Sequence, residues 1–371
     1  MQPDTVCNNT AENQLFLHRQ LFRQGILKAK HFYFCPATLI FTLQIFLLMH
    51  RRTFMKDTAI AAAGAMILSE LPACADSKKA FGAIDPATGK RLFFDISLAE
   101  WSLHRSIFAG KMTNLDFPLV AKKDYGITAV EYVNQFFKDK AKDTKYLADL
   151  KMRCDDNGVK SVLIMCDGEG YLGDADAAKR TQAVENHYKW VEAAKYLGCF
   201  CIRVNAGGQG SAEQVSDNAA DGLRRLTTFA KTHGISVIVE NHGGYSSNGK
   251  WLVGVMKKVN MQECGILPDF GNFCIRREKE DDWGSPCAEQ YDRYLGTQEF
   301  MPFAKDVSAK AHDFDAQGNC TDTDYRRMLK IVKDAGYRGY VGIEYEGDKL
   351  SEPDGIRATL ALLHKVGAEL S

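Results

Sequence analysis

The chain lacks net charge, a phosphate-binding glycine fingerprint and a regular cysteine framework, and each absence removes a class of function. Lys+Arg and Asp+Glu each number 47 in 371 residues, so no basic footprint for nucleic acid is visible. A small, uncharged or modestly charged ligand suits such a chain better. No G-x-G-x-x-G follows the first apolar run, which argues against a dinucleotide-binding, doubly wound sheet. The glycine-rich stretches Ala206–Gly210 and Asn241–Gly244 are open rims where a ligand can approach the backbone. No Walker-like lysine pattern accompanies them. Eight of the 11 cysteines lie beyond residue 90, without the spacing of a small disulfide scaffold, and are expected in the core. Cys199 and Cys201 fall on one face of a predicted strand, too far apart for an easy bridge. Nothing beside Cys166, Cys264 or Cys274 supports a nucleophilic thiol.

What is present begins with a leader. His50-Arg51-Arg52-Thr53-Phe54-Met55-Lys56 precedes an Ala-rich apolar run from Ala59 to Leu68, which resembles a twin-arginine export signal. Leu71-Pro72-Ala73-Cys74 resembles a bacterial lipoprotein box, in which Cys74 would carry the lipid and attach the chain to a membrane. Cleavage after Ala73-Cys74-Ala75, giving soluble export, is the competing expectation. Residues 1–48 read as a start-site artefact or unstructured leader, 49–75 as the signal, 76–90 as a linker and 91–371 as one catalytic domain.

From Arg91 onward, apolar β-branched runs alternate with amphipathic stretches of helical period. The candidate strands are Leu92–Leu98, Ile127–Val133, Val159–Cys166, Cys199–Asn205, Ile235–His242, Cys264–Phe270, Asp306–His312 and Gly339–Glu346. Eight strands recurring every 30–40 residues match a (β/α)8 TIM barrel, an α/β fold. Helices are expected over Asp174–Leu197, Ser211–His233 and Thr321–Tyr337. A last helix carries the stripe Ile356, Leu360, Leu363, Val366. Arg276 to Asp282, with its mixed charges, reads as a solvated loop. His187, His233 and His364 fall on helices or helix ends and are expected at the surface or as caps.

Catalytic groups of such barrels come from the C-terminal ends of the strands. Glu240, Asp269, His312 and Glu344 occupy those ends on the fifth to eighth runs. Three carboxylates and one imidazole could hold a divalent ion of the Mn, Mg, Co or Zn type. The bland alternative is a barrel interior closed by salt bridges without metal. Alternation places His242 with Glu240, Lys310 with His312, and Glu346 with Glu344 on the inward face. Glu346 either supports the site or pairs with Lys310. Arg203 and Asn205 end the fourth run and could orient sugar hydroxyls. His104, Glu131 and His242 could do likewise, and Trp101 could stack on a sugar ring.

The ordered set resembles the xylose isomerase-like TIM barrels, the sugar phosphate isomerase/epimerase superfamily that also holds the apurinic endonuclease type. The signatures are Trp101-Ser102-Leu103-His104, Val130-Glu131-Tyr132-Val133, Glu240-Asn241-His242-Gly243-Gly244, Pro268-Asp269-Phe270-Gly271-Asn272 and Gly339-Tyr340-Val341-Gly342-Ile343-Glu344. The resemblance implies that Glu240, Asp269, His312 and Glu344 bind one divalent ion, with Glu240 and Glu344 as the acid–base pair. It implies a metal-dependent sugar isomerase or epimerase working through an enediolate. Two departures stand out, each also a candidate substrate contact: Asn272 replaces a histidine of many epimerases, and Lys310 shares the face of the seventh-strand ligand. Three other outcomes remain open: a 3-keto-glycoside or inosose lyase or dehydratase, a non-catalytic sugar-binding lipoprotein, and an apurinic-site endonuclease. Neutral charge and too few strand-end histidines argue against the last.

Overall fold

In the computed structural model, residues 81–371 are described, apart from 280, 281 and 283. The twin-arginine segment and Cys74 lie outside the described residues. The stretch 81–90, expected as a linker, folds back on the strand entry through an antiparallel bridge between Ile84 and Arg91.

Ten strands form among the described residues. They are β1 (Asp95–Ala99), β2 (Ala129–Val133), β3 (Lys160–Met165), β4 (Cys201–Val204), β5 (Ser236–Glu240), β6 (Cys264–Leu267), β7 (Cys274–Arg277), β8 (Cys287–Gln290), β9 (Val307–Ala311) and β10 (Tyr340–Tyr345). Eight of them make one parallel sheet in the order β6-β5-β4-β3-β2-β1-β10-β9. The two ends meet through parallel bridges Ile266–Ala304 and Asp269–Ser308. Backbone bonds from Ser308 N to Pro268 O at 2.9 Å and from Phe270 N to Ser308 O at 3.1 Å complete that seam. This closure makes the sheet a barrel and leaves no free parallel edge.

Nine α-helices form among the described residues. They are α1 (His104–Phe108), α2 (Phe117–Tyr125), α3 (Thr144–Asn157), α4 (Ala177–Leu197), α5 (Ala212–Thr232), α6 (Gly249–Val259), α7 (Arg293–Phe300), α8 (Tyr325–Asp334) and α9 (Glu352–Leu370). Local chemistry sets their ends. Asp143, Asp176, Asn248, Asp292 and Asp324 accept bonds from first-turn amides of α3, α4, α6, α7 and α8. Ser211 and Gln214 form a capping box at α5. Gly126, Gly158 and Gly198 stop α2, α3 and α4 in the left-handed region, where a Cβ is costly.

Two apolar layers follow from strand alternation. An outer core lies between sheet and helices, with Trp190, Phe94, Phe117 and Phe300 fully buried. A smaller inner cluster, including Ala99, Val133, Leu163, Met165, Cys201, Ile238 and Leu267, packs together. Each large apolar side chain buried in this way contributes about 1.5–3 kcal/mol.

Four expectations are corrected here. Arg276 and Arg277 belong to strand β7, paired antiparallel with β8, rather than to a plain loop. Cys274 and Cys287 are joined across this hairpin, with Cα atoms 5.8 Å apart, so these two are not core thiols. Among the described residues the other six cysteines form no disulfide and are buried. However, Cys199 belongs to the outer core and Cys201 to the inner cluster, so they do not share a face. His187 is not at the surface: only 2% exposed, it faces the core from α4 and bonds through Nδ1 to Ala183 O at 2.7 Å.

Candidate active site

The polar centre is assembled by period-two alternation near the C-terminal ends of the barrel strands. Glu131 comes from β2, Arg203 from β4, Glu240 from the last position of β5 and Lys310 from β9. Glu344 comes from β10, and Asp269 stands two residues beyond β6. Glu240, Asp269 and Glu344 are 1%, 0% and 4% exposed. Each offers one oxygen, and these three atoms lie within 4.8 Å of one another.

Neighbouring groups fix each carboxylate. Asp269 Oδ1 accepts from Gly271 N at 2.9 Å and Asn272 N at 2.8 Å, a local turn encoded by Asp-Phe-Gly-Asn. Asn241 locks the adjoining backbone, accepting from Asp269 N at 2.8 Å and donating to Asp269 O at 3.0 Å. Asn272 donates Nδ2 to Glu240 Oε1 at 2.9 Å. Ser308 Oγ lies 2.6 Å from Asp269 Oδ2 and 2.8 Å from Glu344 Oε2. A hydroxyl has one proton to give, so it satisfies one of these carboxylates at a time.

Two buried cations face the group. Arg203 pairs with Asp167 Oδ1 at 2.7 Å and Glu240 Oε2 at 2.8 Å. Lys310 Nζ lies 3.3 Å from Glu344 Oε1, 3.2 Å from Glu346 Oε1 and 4.0 Å from Asp269 Oδ2. Glu346 is therefore the partner of Lys310. His312 does not join the three carboxylates. It sits past the end of β9, with Nδ1 3.2 Å from Asp322 and Nε2 3.9 Å from Glu346, and its side chain is 39% exposed. The expected seventh-strand ligand is thus displaced to the rim, because Lys310, two residues earlier on the same face, fills the inward position.

Charge balance at this centre is unequal. Burial pushes Glu240 and Asp269 up to about 7, with nearby carboxylates adding to it and Arg203 or Lys310 opposing. Burial likewise pushes Glu131 up to about 8. Its carboxylate bonds to Ser97 Oγ, and Gly342 leaves the space that it occupies. For Asp167, burial raises the pKa, but the charge and hydrogen bond of Arg203, with His242 and the Asn205 hydrogen bond, together outweigh it and bring the group down to about 2. Glu346 is lowered by Lys310 against the cost of its burial. Two fixed cations thus serve Asp167, Glu240, Asp269, Glu344 and Glu346, and the remaining negative charge calls for protons or a further cation. Three converging carboxylates fit a hard, oxygen-preferring divalent ion in charge and donor type.

The expected substrate contacts fall into two groups. Arg203, Asn205, His242, Asn272, Glu131 and Lys310 gather round the carboxylates. Asn205 Nδ2 donates to Asp167 at 2.6 Å, and burial pushes His242 down to about 4, keeping it neutral at physiological pH. Trp101 and His104 belong to an aromatic cluster just after β1, with Trp101 packed against the inner apolar cluster. Trp101 stacks with His104 at 4.8 Å and Phe136 at 5.9 Å, and His104 Nδ1 lies 2.6 Å from Trp101 O. Three structural contributors were not anticipated. Asp167 follows the third apolar run and obeys the strand-end rule that singled out Glu240. Ser308 lies two residues before Lys310 and so shares its face. Asn241 carried no signal beyond its position beside Glu240.

Residues 119–366 match the family described as Xylose isomerase-like TIM barrel, and the chain belongs to that family. Three solved structures illustrate the likeness. A xylose isomerase-like TIM barrel protein from Mycobacterium smegmatis, in complex with magnesium, is 14% identical at TM-score 0.55, covering 75% of this chain and 98% of its own. L-ribulose 3-epimerase is 14% identical at TM-score 0.56, covering 74% and 95%. A probable 3-DHS dehydratase from Bacillus anthracis is 15% identical at TM-score 0.54, covering 73% and 98%. Comparison with curated proteins finds no match.

Proposed function

We propose that the chain is a metal-dependent sugar isomerase or epimerase that exchanges a proton on carbon next to a carbonyl. One observation carries this reading: Glu240, Asp269 and Glu344, all buried, present oxygens within 4.8 Å of each other in a barrel interior of excess negative charge. The family fold, and neighbours that include an epimerase and a magnesium complex, support it. These three residues would hold the ion. When bound, it supplies positive charge that stabilises an enediolate as it develops.

The protein's own residues do the rest. Glu240 and Glu344 form the acid–base pair: one carboxylate takes the α-proton, and the other carboxyl returns a proton to the same or opposite face. Asn272 orients Glu240, while Ser308 orients Glu344. Arg203, Asn205, His242 and Glu131 supply donors and acceptors to sugar hydroxyls, and Trp101 an apolar face. The substrate is a free or glycosidically linked sugar, met outside the cytoplasm after export on the signal at 49–75, with Cys74 as the lipid attachment point.

A second reading, elimination from a 3-keto glycoside or inosose, shares the proton abstraction and gains support from the dehydratase neighbour. Incubating the metal-loaded protein in heavy water with keto-sugars and oxidised glycosides separates the two. Deuterium uptake with the carbon skeleton intact supports the isomerase, and release of water or an aglycone supports the lyase. Neither result with any substrate, or full biological function retained by Glu240→Gln, would instead indicate a non-catalytic sugar-binding protein.

A further inference from the structure

The position of Lys310 is built into the site. Its side chain is 2% exposed, and its stem packs on Gly271, where a Cβ would meet Lys310 Cγ and Cδ at 3.0 Å. Its carbonyl accepts from the buried Tyr325 hydroxyl at 3.0 Å, tying that point of β9 to α8. The ammonium is thereby held 3.3 Å from Glu344 and 4.0 Å from Asp269, two of the three converging carboxylates. An ammonium has three donors and no lone pair, so it cannot ligate a metal. It neutralises the same carboxylates that an ion would use and repels any second cation placed there. The only imidazole on this face of β9, His312, is held at the rim by Asp322.

We infer that Lys310 is a resident competitor for the divalent ion, so that the wild-type site holds metal weakly and exchangeably. This rests on the metal reading of the same three carboxylates and assigns a role that the reading alone does not require. Glu346 has a definable part: 3.2 Å from Nζ, it draws the ammonium away from Glu344 and Asp269.

The test is equilibrium binding of Mn2+ at pH 8, followed by the electron paramagnetic resonance of the free ion, on full-length wild type, Lys310→Met and Glu346→Gln. Lys310→Met is expected to bind Mn2+ about 100-fold tighter or more, the scale set by removing a unit positive charge 3.3 Å and 4.0 Å from two of the carboxylates that would hold the ion. Glu346→Gln is expected to bind more weakly than wild type. Unchanged or weaker binding by a folded Lys310→Met overturns the inference, showing that the lysine organises the carboxylates instead. Should Lys310→Met lose its circular dichroism, the sign of the Glu346→Gln change decides alone: equal or tighter binding overturns the inference. Failure of both wild type and folded Lys310→Met to bind millimolar Mn2+ overturns the metal reading as well. Equally tight binding by both removes only the role of Lys310.

Discussion

Replacing Arg203 with methionine isolates the electrostatic logic of the barrel interior. Arg203 is 4% exposed and ion-pairs with Asp167 at 2.7 Å and Glu240 at 2.8 Å. Methionine keeps much of the apolar stem but strands both carboxylates. Breaking a buried pair by removing one partner costs about 3–5 kcal/mol. In a domain of this size each kcal/mol moves Tm by roughly 2–4 °C, so the variant should melt about 10 °C lower near neutral pH. The deficit should depend on pH with a defined sign. In the wild type Arg203 holds Asp167 down to about 2, a stabilising contribution present above the unfolded pKa and lost as pH falls through the folded one. In the variant, burial acts on Asp167 and Glu240 unopposed by this cation, so the folded state binds protons more readily than the unfolded state. The variant should therefore approach the wild type near pH 5 and fall furthest behind near pH 8. Differential scanning calorimetry across that range measures this directly, and Asp167→Asn added to Arg203→Met should restore part of the loss. A deficit that is constant with pH, or a shift of only a degree or two, would refute the reasoning.

Further outcomes are expected. Chelation should abolish proton exchange and Mn2+ or Mg2+ should restore it, while Glu240→Gln and Glu344→Gln each lower turnover by roughly 10²–10⁴ with little change in KM; steady-state kinetics checks this. Glu100, buried beneath β2, accepts from Val133 N and Asn114, and its burial pushes it up to about 8. Its raised pKa means that the folded state keeps this proton, so its share of stability is lost as pH rises from about 4.5 to about 8. Glu100→Gln should flatten denaturant-measured stability over that window. Reducing the Cys274–Cys287 bridge should speed amide exchange in β7 and β8 before the barrel loosens, since the crosslink spans only 13 positions within an exposed hairpin.

The eight barrel strands were legible because β-branched apolar runs bounded by capped helices leave few alternatives. The hairpin was not. Its strands are short, polar and largely exposed, and the disulfide that pins them joins cysteines with no framework spacing. The strand-end rule found Glu240, Asp269 and Glu344 because an acid at the exit of an apolar run is itself unusual. At the seventh strand it selected His312, whereas Lys310 takes the inward position. Both lie on the inward face, and the choice turns on depth, about 6.6 Å along the strand for two residues, which is set by packing on Gly271 and by the pull of Asp322. His187 was misplaced although its stripe with Ala183, Val184, Trp190, Val191 and Ala194 carried the signal of a core-facing position.

The most direct measurement is anomalous diffraction at the manganese edge from crystals soaked in concentrated Mn2+. A single peak within ligand distance of Glu240, Asp269 and Glu344, with His312 left at the rim, is the expected result. No peak between those carboxylates, or one centred on His312 and Asp322, would contradict the account.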